Sequence, residues 1–119
     1  MTRQQEYGEY FTPTEHIQEY FKQIPLEVLL NTSLKVLEPS CGSGSFIIEL
    51  IKLRIQHNIP NPSHNIYAFE YHSDNIQKYI NFCNEHNIQP FFINIGDTLA
   101  FDFEDLSFDI ILGNPPFIS

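Results

Sequence analysis

Tryptophan is absent from these 119 residues, methionine occurs once and cysteine twice. Cys41 and Cys83 stand far apart, no C-x-x-C pair exists, and the five histidines show no ligand spacing with them. That pattern excludes a disulfide framework, so two reduced thiols are expected and no metal ligand is assigned. Positive charge is also scarce: 6 Lys and Arg stand against 15 Asp and Glu, a formal net charge of −9. Lys78 is the last Lys or Arg, and Glu85, Asp97, Asp102, Glu104, Asp105 and Asp109 follow it. The stretch from Tyr79 to Ser119 therefore cannot hold a phosphate backbone by charge. No apolar run approaches the ~20 residues of a membrane span, and the polar segment Met1 to Tyr10 has no signal-peptide core. The expected location is the cytoplasm.

What is present suits one globular domain of roughly 65% buried surface. Hydrophobic residues make up 42% and charged ones 18%, with 11 Phe, which is not the composition of a disordered chain. Residues 1–31 read as an N-terminal helical segment and 32–119 as an α/β core. Thr12-Pro13-Thr14-Glu15 resembles a capping box with Pro at the first helical position, and Ile17, Tyr20, Phe21 and Ile24 follow at helical spacing. A short helical piece, Leu26 to Leu30, comes after Pro25. Strands are expected at Leu34–Leu37, Ile66–Phe69, Phe91–Ile95 and Phe108–Leu112. Helices are expected at Phe46–His57, stopped by Asn58 and Pro60, and after a cap at Ser73 or Asp74, with Ile76, Tyr79, Ile80 and Cys83 facing inward. Alternating helices and strands predict a parallel sheet.

In such a sheet, ligands sit beyond the C-terminal strand ends. The first strand runs into Glu38-Pro39-Ser40-Cys41-Gly42-Ser43-Gly44-Ser45. Gly42 and Gly44 let backbone approach a ligand without a Cβ in the way, and the next helix aims free N–H groups at it. Ile47 stands where a dinucleotide fingerprint needs its third glycine, and no G-K-[ST] phosphate loop exists. A purely structural turn is the alternative. The acids argue further: Glu38 ends the first strand, Glu70 ends the second, and Asp97 follows the third. An acid at the second tip can take both hydroxyls of a ribose. Three carboxylates repel a polyphosphate but suit a nucleoside carrying positive charge. S-adenosylmethionine, with its sulfonium and ammonium groups, fits. The alternative is a set of solvated strand-end acids.

The chain closes on Asp109-Ile110-Ile111-Leu112-Gly113-Asn114-Pro115-Pro116-Phe117. With Gly8-Glu9-Tyr10-Phe11-Thr12-Pro13, Leu37 to Phe46, Phe69-Glu70 and Gly96-Asp97, this resembles the N-terminal half of an adenine-N6 DNA methyltransferase. The similarity is to the restriction-modification group, which carries its cofactor motif before the first strand. The resemblance implies a partial Rossmann-like class I S-adenosylmethionine-dependent methyltransferase fold, comprising about the first four strands of a mostly parallel sheet. It implies Thr12 at the methionine carboxylate and Glu38, Ser40 and Gly42 around the methionine and sulfonium. It implies Glu70 and Tyr71 at the ribose and adenine, and Asp97 with Thr98 at the adenine amine. Asn114, Pro115 and Phe117 would form the target-base site. For Thr12 the alternative is the helix cap, and for Phe117 a core aromatic.

The implied reaction is methyl transfer from S-adenosylmethionine to N6 of a flipped adenine in DNA. DNA would be held through regions missing here, and a specificity subunit, a nuclease or the remaining methyltransferase half are the implied partners. On that reading the chain is truncated and inactive alone. Two competitors stand beside it. One is a glutamine-N5 protein methyltransferase, which shares the Asn-Pro-Pro-aromatic motif but not the Thr12-Pro13 opening. The other is a non-catalytic nucleoside-binding or interaction module that uses the strand edge after Phe108 to Leu112 to pair with a partner.

Overall fold

The structure, a computed structural model, describes residues 14–39, 44–96 and 107–112. Longer runs with a 3.6-residue period become helices, and short β-branched runs become strands. The order is α1 (Thr14–Phe21), α2 (Leu26–Leu29), β1 (Val36–Glu38), α3 (Ser45–Gln56), β2 (Ile66–Glu70), α4 (Ser73–Glu85), β3 (Phe92–Ile95) and β4 (Ile110–Ile111). Among the described residues no helix is long and apolar enough to cross a membrane.

The four strands form one sheet in the order β3-β2-β1-β4, and every pairing is parallel. The chain walks outward from β1 to β3, then returns to the opposite flank of β1. This is a partial Rossmann-like α/β fold, of the architecture the resemblance implied. Reversal of direction beside β1 creates the crevice in which such sheets bind ligands.

Pairing register decides which side chains share a face. Val36 lies opposite Ile66 and Ile110, and Ala68 opposite Glu38 and Ile93. This face packs on the helices through Val36, Ile66, Ala68, Ile93 and Ile110, joined by Ile17, Phe21, Ile47, Leu50, Ile51, Ile76, Tyr79 and Cys83. Each fully buried Ile or Leu contributes about 1.5–3 kcal/mol relative to exposure. The other face is aromatic: Leu37, Tyr67 and Phe69 pack with Phe92 and Phe108. Helix α1 packs on α3, α3 on α4, and α4 on β2.

Several boundaries differ from the sequence expectation. β1 starts at Val36 rather than Leu34, because the Leu34 amide donates to Asn31 in a turn and the Lys35 amide donates to the Asp109 carboxylate at 2.9 Å. That same contact narrows β4. The cap of α4 is His72, with extended φ −101° and ψ 117° and no side-chain cap bond, rather than Ser73 or Asp74. The Asn75 amide already donates to the His72 carbonyl at 3.1 Å, so the first turn closes before Ser73 can act as a cap.

The tripeptide His-Asn-Ile occurs at 57–59, 64–66 and 86–88, and each asparagine adopts positive φ: Asn58 at 58°, Asn65 at 63° and Asn87 at 55°. Two of these end helices. Ile59 N–H donates to Arg54 O and Asn58 N–H to Ile55 O after α3; Ile88 N–H donates to Cys83 O and Asn87 N–H to Asn84 O after α4. These are Schellman closures with Asn in the left-handed position. Helix α3 reads as apolar almost all round, yet its buried stripe includes a charge. Arg54 is fully buried, and its Nε donates to Leu29 O at 2.8 Å and its Nη1 to Pro62 O at 2.9 Å.

Candidate active site

The C-terminal strand ends carry the acids the sequence put there. Glu38 closes β1 and Glu70 closes β2. Glu38 pairs laterally with Ala68, so Glu70, two residues beyond, emerges on the same face as Glu38. Both carboxylates are buried, at 4% and 2% exposure. Acids this deep are uncommon unless something holds them. For Glu70 the holders are clear. The His72 backbone N–H donates to Oε2 at 2.9 Å and the Asn75 side-chain amide donates to the same oxygen at 3.3 Å. β3 lies alongside: Ile95 is the register partner of Glu70, and Gly96 N–H donates to the Glu70 carbonyl at 2.9 Å. Gly96 has φ +142°, and among the described residues nothing lies within 4 Å of where its Cβ would be.

Tyr71 follows Glu70 directly and is 66% exposed, its ring edge-on to His72 at 5.1 Å. A wide, exposed aromatic face beside a buried carboxylate suits a ligand with a flat ring and a diol. No Lys or Arg occurs in 36–39, 70–72 or 94–96. The described rim is anionic, which suits a cationic ligand and repels a polyphosphate.

Gly44 caps α3 with φ +82°, a left-handed conformation. A Cβ on it would lie 2.7 Å from Cβ of Tyr79. The glycine expected to admit a ligand thus also admits the neighbouring helix α4. Thr12, Ser40, Gly42, Asp97, Thr98, Asn114, Pro115 and Phe117 lie outside the described residues, as do Cys41 and the start of the expected capping box. Of the expected set, Glu38 and Glu70 stand on one face at adjacent strand tips, Tyr71 follows Glu70, and Gly44 opens α3 against Tyr79 of α4.

Asn75 was not among the expected site residues. The signal for it was a polar residue on an apolar stripe: positions 75, 76, 79 and 83 share one helix face, and Asn75 is buried there. Grooves elsewhere do not compete. One of about 890 Å³ lies at the opposite end of the sheet, between the loops entering β2 and β3, lined by Asn61, His64, His86 and Asn87 among others. Another of about 650 Å³ lies between α1, α2 and α3 on the helical layer. Neither touches a strand tip, where parallel sheets place ligands. Among the described residues no cluster of His, Cys, Asp or Glu could hold a metal.

Comparison with known proteins follows the same line. The family described as N-6 DNA Methylase matches residues 1–119. Two curated proteins of Haemophilus influenzae, the type II methyltransferases M.HincII and M.HindII, are each 31% identical to the chain over 111 residues. That alignment covers 93% of this chain and 17% of each relative, so the chain spans a small part of the proteins it resembles.

Proposed function

Because the chain belongs to the N-6 DNA methylase family, we propose that it forms the cofactor-binding half of a methyltransferase domain acting on adenine N6 in DNA, in a restriction-modification system. The methyl donor is S-adenosylmethionine. The observation that carries this reading is the pair of buried carboxylates, Glu38 and Glu70, raised on one face at adjacent parallel strand tips.

The residues fit that donor. Glu70, pinned through one oxygen, is suited to a ribose diol, and Tyr71 offers a face for the adenine. Glu38 favours the cationic methionine end, in company with Thr12, Ser40 and Gly42. Asp97, with Thr98 beside it, follows β3 in the sequence and accepts from the adenine amine. Bound S-adenosylmethionine supplies an electrophilic methyl group on a sulfonium.

The remaining chemistry belongs to Asn114-Pro115-Pro116-Phe117. Adenine N6 is a poor nucleophile because its lone pair is delocalised into the ring. The Asn114 side-chain oxygen and the Pro115 carbonyl accept its two N–H bonds and draw the nitrogen toward a tetrahedral shape. Adjacent prolines stiffen the loop so that the acceptors are aimed in advance. Phe117 stacks on the extruded base. With a net charge of −9, the phosphate grip on DNA comes from outside these 119 residues. The family match favours DNA over a protein glutamine as substrate.

The test is an NMR titration of the chain with S-adenosylmethionine and, separately, ATP. We expect S-adenosylmethionine to move the amide signals of Glu38, Glu70, Tyr71 and Gly96, with ATP binding far more weakly. Glu70→Gln should lose about 1.5–3 kcal/mol of binding, the worth of a charge-assisted hydrogen bond. Shifts confined to the Asn61–His86 groove would sink the reading.

A further inference from the structure

The Glu70 carboxylate is held from α4 as well as from its own strand, and this gives Asn75 a role. Asn75 is the third residue of α4, on the helix face that looks into the core. Its exposure is 9%, its backbone N–H donates to His72 O at 3.1 Å, and its side-chain Nδ2 donates to Glu70 Oε2 at 3.3 Å. The His72 N–H reaches the same oxygen from the other end of the turn, at 2.9 Å. Two donors converging on one carboxylate oxygen fix the rotation of the carboxylate plane, which neither would do alone.

We propose that Asn75 is a positioning residue for the nucleoside site: it orients Glu70 so that the carboxylate presents a preset edge to a vicinal diol. This rests on the reading of Glu70 as the diol ligand. Chemistry explains the residue type. Aspartate at 75 would set a second anion against Glu70. The neutral amide donates without adding charge.

The experiment is an NMR titration of the unmodified chain, Glu70→Gln, Asn75→Ala and the isosteric Asn75→Asp, each with adenosine and with 2′,3′-dideoxyadenosine. Thermal unfolding midpoints of all four are measured alongside. If Asn75 positions Glu70, both Asn75 variants weaken adenosine binding by about tenfold, the ratio one hydrogen bond to a charged group can carry. They leave the weaker dideoxyadenosine binding unchanged. A structural role alone would lower the midpoint and weaken both nucleosides equally, which overturns the proposal. In the unmodified chain the Asn75 side-chain amide signals should move with adenosine and not with the dideoxy compound; immobile signals overturn it without any substitution. Sensitivity to Glu70→Gln without sensitivity to either Asn75 variant overturns this inference and leaves the cofactor reading standing. Indifference to Glu70→Gln removes both.

Discussion

Gly44 and Tyr79 sit so close that one methyl group on the glycine would fall 2.7 Å from the tyrosine Cβ. The start of α3 and helix α4 therefore meet at this glycine, which serves that joint. Gly44→Ala adds strain at φ +82° to an overpacked contact, and each of these costs about 1–3 kcal/mol. We expect a loss of about 3 kcal/mol in urea unfolding. Because the clash is with Cβ, trimming the ring by Tyr79→Ala should not rescue it, and a double-mutant cycle should show no relief of the Gly44 penalty.

Arg54 ties α3 to the end of α2 and to the loop before β2 from inside the core. Burial lowers its guanidinium to about 10, with Tyr79 opposing part of that shift, so it stays charged at neutral pH. Its Nη2 has no hydrogen-bond partner among the described residues, yet Nε and Nη1 satisfy the carbonyls of Leu29 and Pro62. Arg54→Ala leaves those carbonyls and a cavity behind, and should cost about 3 kcal/mol by denaturant titration. Arg54→Met fills the space and should cost less.

The two asparagine-closed helices offer a symmetrical check. Asn58→Ala and Asn87→Ala force a Cβ-bearing residue without a helpful side chain into positive φ, and each should cost about 1 kcal/mol. Glycine at either site should match or slightly exceed asparagine in the same thermal assay.

Cys83 gives the pH dependence. Burial pushes its thiol up, and a hydrogen bond with Tyr79 pulls part of the way back. The folded thiol thus keeps its proton where the unfolded one loses it, so the native state binds more protons at alkaline pH. That contribution is complete below the ordinary thiol value and is lost as pH rises from there through the raised folded value. Relative to Cys83→Ala, the unmodified chain should lose part of its stability advantage as pH rises from 8 to 10. A constant difference across that range would show that the thiol does not titrate differently on folding.

Tyr71 tests the base platform. Stacking of a base on an aromatic ring is worth about 1–3 kcal/mol. Tyr71→Ala should weaken adenosine binding by that amount, while Tyr71→Phe should keep most of it, both read by NMR titration. Since the ring is 66% exposed, neither change should move the unfolding midpoint appreciably.

Element type and order were legible in the residues themselves, because apolar period and turn chemistry are local properties of the chain. The placing of Glu38 and Glu70 at strand ends could be read for the same reason: each follows directly on a short, largely apolar run. Register, burial and neighbourhood were not legible. That Glu38 and Glu70 share a face follows from the pairing of Glu38 with Ala68, a contact between segments distant along the chain. Asn75 and Arg54 are polar residues on otherwise apolar stripes, and packing turns those stripes inward, where each must find partners or destabilise the core. Gly44 read as room for a ligand, and only the approach of α4 showed a second claim on that space. The sequence determined which groups stand near the crevice; tertiary packing decided which way they are held, since a carboxylate's aim depends on donors that arrive from another element.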